Sequence, residues 1–173
     1  MRAMVLEKLG PLGNGPGPLV LSERPRPVPR DGEVLLKVSA CGVCHTELDE
    51  IEGRTPPPSL PVIPGHQVVG TVAGRGPGAS RFKEGDRAGV AWIFSACGRC
   101  DACRSGFENL CPEFKGTGRD ADGGYAEYVS VPEGFALPIP GEISDAEAAP
   151  LLCAGTIGCG SLRLCGLQDG QAL

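Results

Sequence analysis

Three features of the sequence predict a mainly β fold with short helices, an antiparallel barrel or sandwich. Apolar and β-branched runs recur at short intervals, each bounded by glycine or proline. Glycine (27) and proline (17) together make up about a quarter of the 173 residues, as a heavily looped chain requires. The hydrophobic share of 41% and the lack of internal repeats favour a packed core over disorder. The length suits one ordinary domain, or one domain with a short extension.

The expected strands, in order, are Ala3 to Leu6, Leu19 to Leu21, Val34 to Ala40, Val68 to Ala73, Ala88 to Phe94 and Tyr125 to Val131. Alternation within Glu33 to Ser39 is imperfect, so this strand is expected to be buried on both faces. One helix is signalled clearly. Ser144-Asp145-Ala146-Glu147 has the S-x-x-E form of a capping box, and apolar residues then recur from Ala148 to Leu164, with a break or restart near Pro150 and an end at Gly166. Residues 167–173 read as a turn followed by the opening of a strand.

Composition narrows the functional classes. The formal net charge of −5 gives no general attraction to phosphate backbones or anionic lipid, so no nucleic-acid partner is expected. The first eight residues contain Glu7 and Lys8 where a secretory apolar core would run. No apolar stretch nears the ~18 residues of a membrane span, so the chain reads as cytoplasmic with no membrane partner. Nine cysteines are too few for a disulfide scaffold and cannot all pair, which points to metal ligation.

Cys97, Cys100, Cys103 and Cys111 form C-x2-C-x2-C-x7-C within a glycine-bearing, charged stretch. Four thiolates so spaced match a closed tetrahedral zinc site, and metal binding would supply the folding energy that such a lobe lacks. An iron–sulfur cluster is the alternative, since Pro112 follows the last cysteine, although the x7 gap is long for one. Elsewhere Cys44-His45-Thr46-Glu47, Gly65-His66-Gln67 and Leu152-Cys153-Ala154 offer two thiols and an imidazole from separate segments. Two sulfurs and one nitrogen leave a fourth zinc position open, as in catalytic sites. A satisfied core histidine and a redox pair at Cys41 and Cys44 are the competing readings. Gly74-Arg75-Gly76 and Gly116-Thr117-Gly118 read as turns, the latter in a polar loop. Neither forms the G-x-G-x-x-G of a dinucleotide fold.

Taken together, these segments resemble the N-terminal GroES-like catalytic domain of the zinc-dependent medium-chain alcohol dehydrogenases. The resemblance rests on Cys44-His45-Thr46, the run from Gly65 to Gly76, the four-cysteine stretch, Gly85-Asp86-Arg87, Asp122 to Tyr128 and Pro150 to Gly155, in the family's order. It implies a partly open GroES-like β-barrel over residues 1–166, a zinc lobe at 95–113, and the start of an absent Rossmann coenzyme domain at 167–173. It also implies two zinc ions per chain. Cys44, His66 and Cys153 would hold the catalytic one and Cys97, Cys100, Cys103 and Cys111 the structural one. The metal would act as a Lewis acid while hydride passes between an alcohol carbon and NAD or NADP.

Thr46 resembles the hydroxyl that takes the alcohol proton, His45 the residue facing the coenzyme pyrophosphate, and Trp92 an aromatic wall of the substrate pocket. Cys41, Cys159 and Cys165 match no ligand position and read as small packing residues. Three positions depart from the family pattern. Glu47 stands for the aspartate that orients the ligand histidine, Gln67 for the following glutamate, and Asp49 for the histidine ending a proton relay, so protons would leave through Asp49 or directly to water. Small alcohols, aldehydes or ketones are the implied substrates, and a homo-oligomer is compatible with the family. A truncated, non-catalytic zinc-binding paralogue or interaction module is the rival reading, which Gln67, Asp49 and the missing coenzyme domain would also fit.

Overall fold

A computed structural model describes residues 1–13, 15 and 17–171. The strands are β1 (Arg2–Leu6), β2 (Leu19–Glu23), β3 (Glu33–Gly42), β4 (Gln67–Arg75), β5 (Arg87–Val90), β6 (Ile93–Ser95), β7 (Lys115–Gly116), β8 (Tyr128–Pro132) and β9 (Ala136–Pro138). The helices are α1 (His45–Ile51), α2 (Asp101–Arg104), α3 (Asp145–Pro150) and α4 (Thr156–Cys165), with a π-helical turn, Leu151–Gly155, joining the last two. A five-stranded sheet in the order β8-β3-β4-β5-β9 curls as a half-barrel, and the pairs β1-β2 and β6-β7 complete the β structure. Among the described residues, the pairings of these nine strands are all antiparallel.

The mainly β expectation holds, and the long β3–β4 ladder explains the curl. Its register shifts between Leu35 and Leu36 and again between Val38 and Ala40, bulges that bend a sheet toward closure. Val34, Leu36, Val68, Val72, Val90, Val129 and Val131 fill the concave interior. Leu35 is buried as well, so the start of β3 is covered on both faces, whereas Lys37 and Ser39 further along are exposed.

Three details differ from the sequence reading. The run Ala88 to Phe94 is two strands, since β5 belongs to the large sheet and β6 pairs with β7. The segment Gly116-Thr117-Gly118 is buried rather than a polar loop. Thr117 is fully covered, and its hydroxyl donates to the Ala91 carbonyl at 2.9 Å. Cys41 packs against the core as expected, but Cys159 and Cys165 are exposed.

The capping box at Ser144 forms as read. Its hydroxyl accepts the Glu147 N–H while the Glu147 carboxylate accepts the Ser144 N–H. The discontinuity near Pro150 takes the form of the π turn, and Gly166 ends α4 in the left-handed conformation at φ 66°. Asp145–Cys165 is thereby one 21-residue helical run, within which an 18-residue window has a mean hydropathy of 1.3. By length and composition alone it could cross a membrane, which the interrupted sequence pattern did not suggest. Its first part instead packs on the sheet, with Ala148 and Ala149 buried against Val69. Of the expected strand opening at 167–173, Ala172 and Leu173 lie outside the described residues.

Candidate functional site

Cys44, His66 and Cys153 arrive from three places. Cys44 is the N-cap of α1, His66 directly precedes β4, and Cys153 sits in the π turn. Gly65 makes the turn into His66 at φ 101°, where an added Cβ would lie 2.6 Å from Tyr125 and 2.9 Å from Cys41. Only glycine serves there. Arg87 anchors the third ligand's helix. Its Nε donates to Asp145 Oδ1 at 2.9 Å and its Nη2 to the Ile143 carbonyl at 2.8 Å, while the Ser39 hydroxyl donates to Asp145 Oδ2 at 2.5 Å. Together they pin the N-terminus of α3 to β3 and β5.

The three ligand atoms lie within 4.8 Å of one another, and the Cys44 and Cys153 sulfurs are 3.8 Å apart. A tetrahedron with ~2.3 Å metal–sulfur arms has edges of roughly 3.8 Å, so this pair already stands at metal-bridged separation. His66 is 1% exposed. Its Nδ1 lies 2.5 Å from Glu47 Oε1, at an angle too oblique for an ideal hydrogen bond, and its Nε2 has no partner among the described residues. A buried, unpartnered imidazole nitrogen beside two thiols is costly unless a cation takes it. The residues present therefore fit a metal ion.

The electrostatics agree. Burial opposes ionisation of Cys44, but the backbone and hydroxyl of Thr46 and the Cys153 thiol hold it below the ordinary thiol range. Cys153 is pushed up by burial and by the neighbouring Cys44. Two such sulfurs cannot both ionise comfortably without a positive charge between them.

The four-cysteine set also closes. All four sulfurs lie within 4.8 Å of one another, with Cys100–Cys103 at 3.5 Å and Cys97–Cys103 at 4.0 Å. Backbone N–H groups point at the sulfurs, from Cys97 and Glu113 to Cys111 and from Cys100 to Cys97, at 3.3–3.4 Å. Backbone donors at Arg99 and Cys100 lower the Cys97 thiol, whereas burial and Cys100 raise Cys103. This lobe hangs between β6 and β7, and α2 within it buries no residue.

The remaining expected residues gather around the three-ligand site. Thr46 Oγ1 is 3.6 Å from the Cys44 sulfur. Trp92 meets the His66 ring edge-on at 5.1 Å and leans on Phe114 at 6.0 Å. The Gln67 side chain is buried beside this site, where it partly offsets the rise of the Cys153 thiol. His45 is exposed on the solvent side of α1, 3.6 Å from Asp49, whose carboxylate also pairs closely with Arg54.

Three residues were missed in the sequence. Glu50 is 1% exposed, with neither carboxylate oxygen partnered among the described residues, and burial next to Glu47 raises its pKa to about 8. The Tyr125 hydroxyl is likewise buried without a partner, and Phe114 backs Trp92. Once α1 is recognised as a helix, the spacing of Glu47 and Glu50 shows them on one face. Nothing local flags Tyr125 or Phe114.

The Alcohol dehydrogenase GroES-like domain profile matches residues 30–141. The chain belongs to this family. Among relatives of the GroES-like domain, it is 48% identical over 178 residues to the Mycobacterium tuberculosis protein named "Probable alcohol dehydrogenase AdhA", covering 100% of this chain and 51% of that protein. It is 44% identical over 155 residues to an alcohol dehydrogenase of Geobacillus stearothermophilus, covering 89% of this chain and 46% of the relative. Among solved structures, an NAD-dependent alcohol dehydrogenase superposes with a TM-score of 0.87 at 32% identity, over 98% of this chain and 49% of the other. The cobalt- and zinc-bound alcohol dehydrogenase of Pyrobaculum aerophilum does so with a TM-score of 0.77 at 33% identity, over 87% and 44%. The GroES-like chain thus spans about half the length of the relatives it matches.

Proposed function

We propose that this chain is the alcohol-binding catalytic half of a zinc-dependent dehydrogenase that interconverts small alcohols with aldehydes or ketones, using NAD or NADP. The observation that carries the reading is the three-ligand set itself. Cys44, His66 and Cys153 converge with a buried, unpartnered imidazole nitrogen, flanked by a hydroxyl and an aromatic wall. The relatives' names support the reaction class.

Cys44, His66 and Cys153 would hold the catalytic zinc, and the four-cysteine lobe a second, structural one. Bound zinc would supply Lewis acidity toward the substrate oxygen, and a nicotinamide would accept or return the hydride. The chain's own groups do the rest. Glu47 lies against His66 Nδ1 and fixes the ring, which leaves Nε2 as the nitrogen that would meet the metal. Thr46 Oγ1, beside Cys44, receives the alcohol proton on oxidation. From there the proton passes along the exposed side of α1, where His45 and Asp49 lie together, to water. Trp92, backed by Phe114, forms an apolar wall that orients the alcohol's carbon side.

Coenzyme contacts are assigned to a second half such as the relatives carry, with His45 facing its pyrophosphate. The exposed apolar side chains of α4, Ile157, Leu162 and Leu164, suit packing against such a half. A homo-oligomer and a cytoplasmic location belong to the same reading. The test is NADH or NADPH formation from primary and secondary alcohols by a polypeptide joining this chain to a coenzyme-binding half. Turnover that requires zinc and disappears in Cys44→Ser supports the reading. Turnover unaffected by Cys44→Ser, or none with any alcohol despite bound zinc, refutes it. The 173 residues alone should bind zinc but show negligible turnover.

A further inference from the structure

One cavity lies apart from both metal centres. It is an open groove of about 630 Å³ between the proline-rich segment 24–30 and strand β8. The Arg26 guanidinium stacks 4.0 Å above the Tyr128 ring of β8, so the two walls meet. Tyr128, Val129 and Ser130 all line the groove. Three consecutive residues of a strand contribute to one surface through its edge, since a face would show alternate residues only.

That edge is unpaired. β8 ends the five-stranded sheet and bonds to β3 on one side. Among the described residues, Tyr128–Pro132 makes no backbone hydrogen bond beyond those to β3. An unpaired strand edge is a template for another extended chain.

The charges in the groove are unevenly engaged. Glu33 accepts from the Arg30 N–H and the Ser130 hydroxyl at 2.9 and 2.8 Å, Asp120 from the Gly116 N–H at 2.8 Å, and Asp122 from the Ile63 N–H at 2.9 Å. These carboxylates are committed to the fold. Arg26, Arg30 and Lys115 line the same groove and make no ion pair among the described residues, and Arg24 reaches Glu7 only at 3.8 Å. In a chain of net charge −5, the groove therefore presents free cations around a free strand edge.

We propose that this groove docks an extended acidic segment of a partner protein, which pairs with β8 as a sixth strand while its carboxylates meet Arg26, Arg30 and Lys115. Backbone bonds would supply affinity, and guanidinium–carboxylate pairs the preference for acidic sequence.

Fluorescence anisotropy with a labelled peptide of alternating glutamate and valine tests it on the purified chain. Binding is expected that weakens with added salt and falls at least tenfold for Arg26→Ala/Arg30→Ala and for Lys115→Glu. These side chains are exposed, so the variants should keep the wild-type far-ultraviolet spectrum and metal content. A peptide with lysine for glutamate, or one N-methylated at alternate residues so that it cannot donate to the edge, should not bind. Absence of binding by the acidic peptide, equal binding by either control peptide, or affinity unchanged in both variants would overturn the proposal. Self-association of the chain that Arg26→Ala/Arg30→Ala abolishes would give the groove to a second copy, and would overturn it as well.

Discussion

Glu47 Oε1 and His66 Nδ1 stand 2.5 Å apart, and each side chain is 1% exposed. The same carboxylate reaches back through Oε2 to the Cys44 N–H at 2.8 Å. One side chain therefore caps α1, braces the backbone of one metal ligand and orients the ring of another. Glutamate can span both tasks because its extra methylene lets the carboxylate lie across the helix start.

Glu47→Gln keeps an oxygen for the cap but removes the charge facing His66. Metal affinity at the three-ligand site is expected to fall about 10- to 100-fold while the four-cysteine lobe keeps its metal. Glu47→Ala should add a loss of about 1 kcal/mol in stability from the missing cap. Competition with a chelator and denaturant titration separate the two effects.

Arg87→Ala should loosen α3. The Ser39 hydroxyl and the Arg87 guanidinium hold the Asp145 carboxyl below its ordinary range. A depressed carboxyl contributes stability that is present above its unfolded pKa and lost as pH falls through the folded one. The Asp145 side chain is about a third exposed, so the contribution is about 1 kcal/mol or less. Thermal melts of Arg87→Ala between pH 3 and 7 should show a shallower acid-side decline than wild type, and Cys153 should become easier to alkylate.

Glu50 works in the opposite direction. Burial, then Glu47, raises its pKa to about 8. An acid whose folded pKa exceeds its unfolded value stabilises the fold fully below the unfolded value and loses that contribution as pH rises through the folded one. Wild-type stability should therefore decline between about pH 4.5 and 8, and Glu50→Gln should remove this slope, leaving the variant more stable at pH 8 by on the order of 1–3 kcal/mol. Denaturant unfolding across that range checks it, and identical slopes would contradict it.

Cys103→Ser should unravel the lobe without unfolding the sheet, because α2 buries no residue of its own and the barrel core lies elsewhere. Limited proteolysis is expected to cut within residues 98–110 in the variant and to spare them in the metal-loaded wild type.

The antiparallel fold was legible because its strands are dense in β-branched residues set between turns, and the α3 start because the Ser144 capping box is local. The closed cysteine set was legible because all four ligands fall within one short stretch. The open site was harder to see, since Cys44, His66 and Cys153 are brought together only by the β3–β4 ladder and the Arg87 anchor. Glu50 escaped notice because α1 is seven residues long and opens on a cysteine cap, with no apolar period to reveal its buried face. The split between β5 and β6 depends on which partner each finds in space, and a continuous apolar run does not encode that.

The central claim is that seven ligands form two independent zinc centres, one closed and one open. Metal content per chain, measured by mass spectrometry on wild type, His66→Ala and Cys103→Ser, tests it most directly. Two zinc ions are expected in wild type and one in each variant, matching the two ligand groups. A wild type holding a single zinc that His66→Ala leaves untouched would contradict the open centre, and iron in place of zinc would contradict the assignment of the lobe.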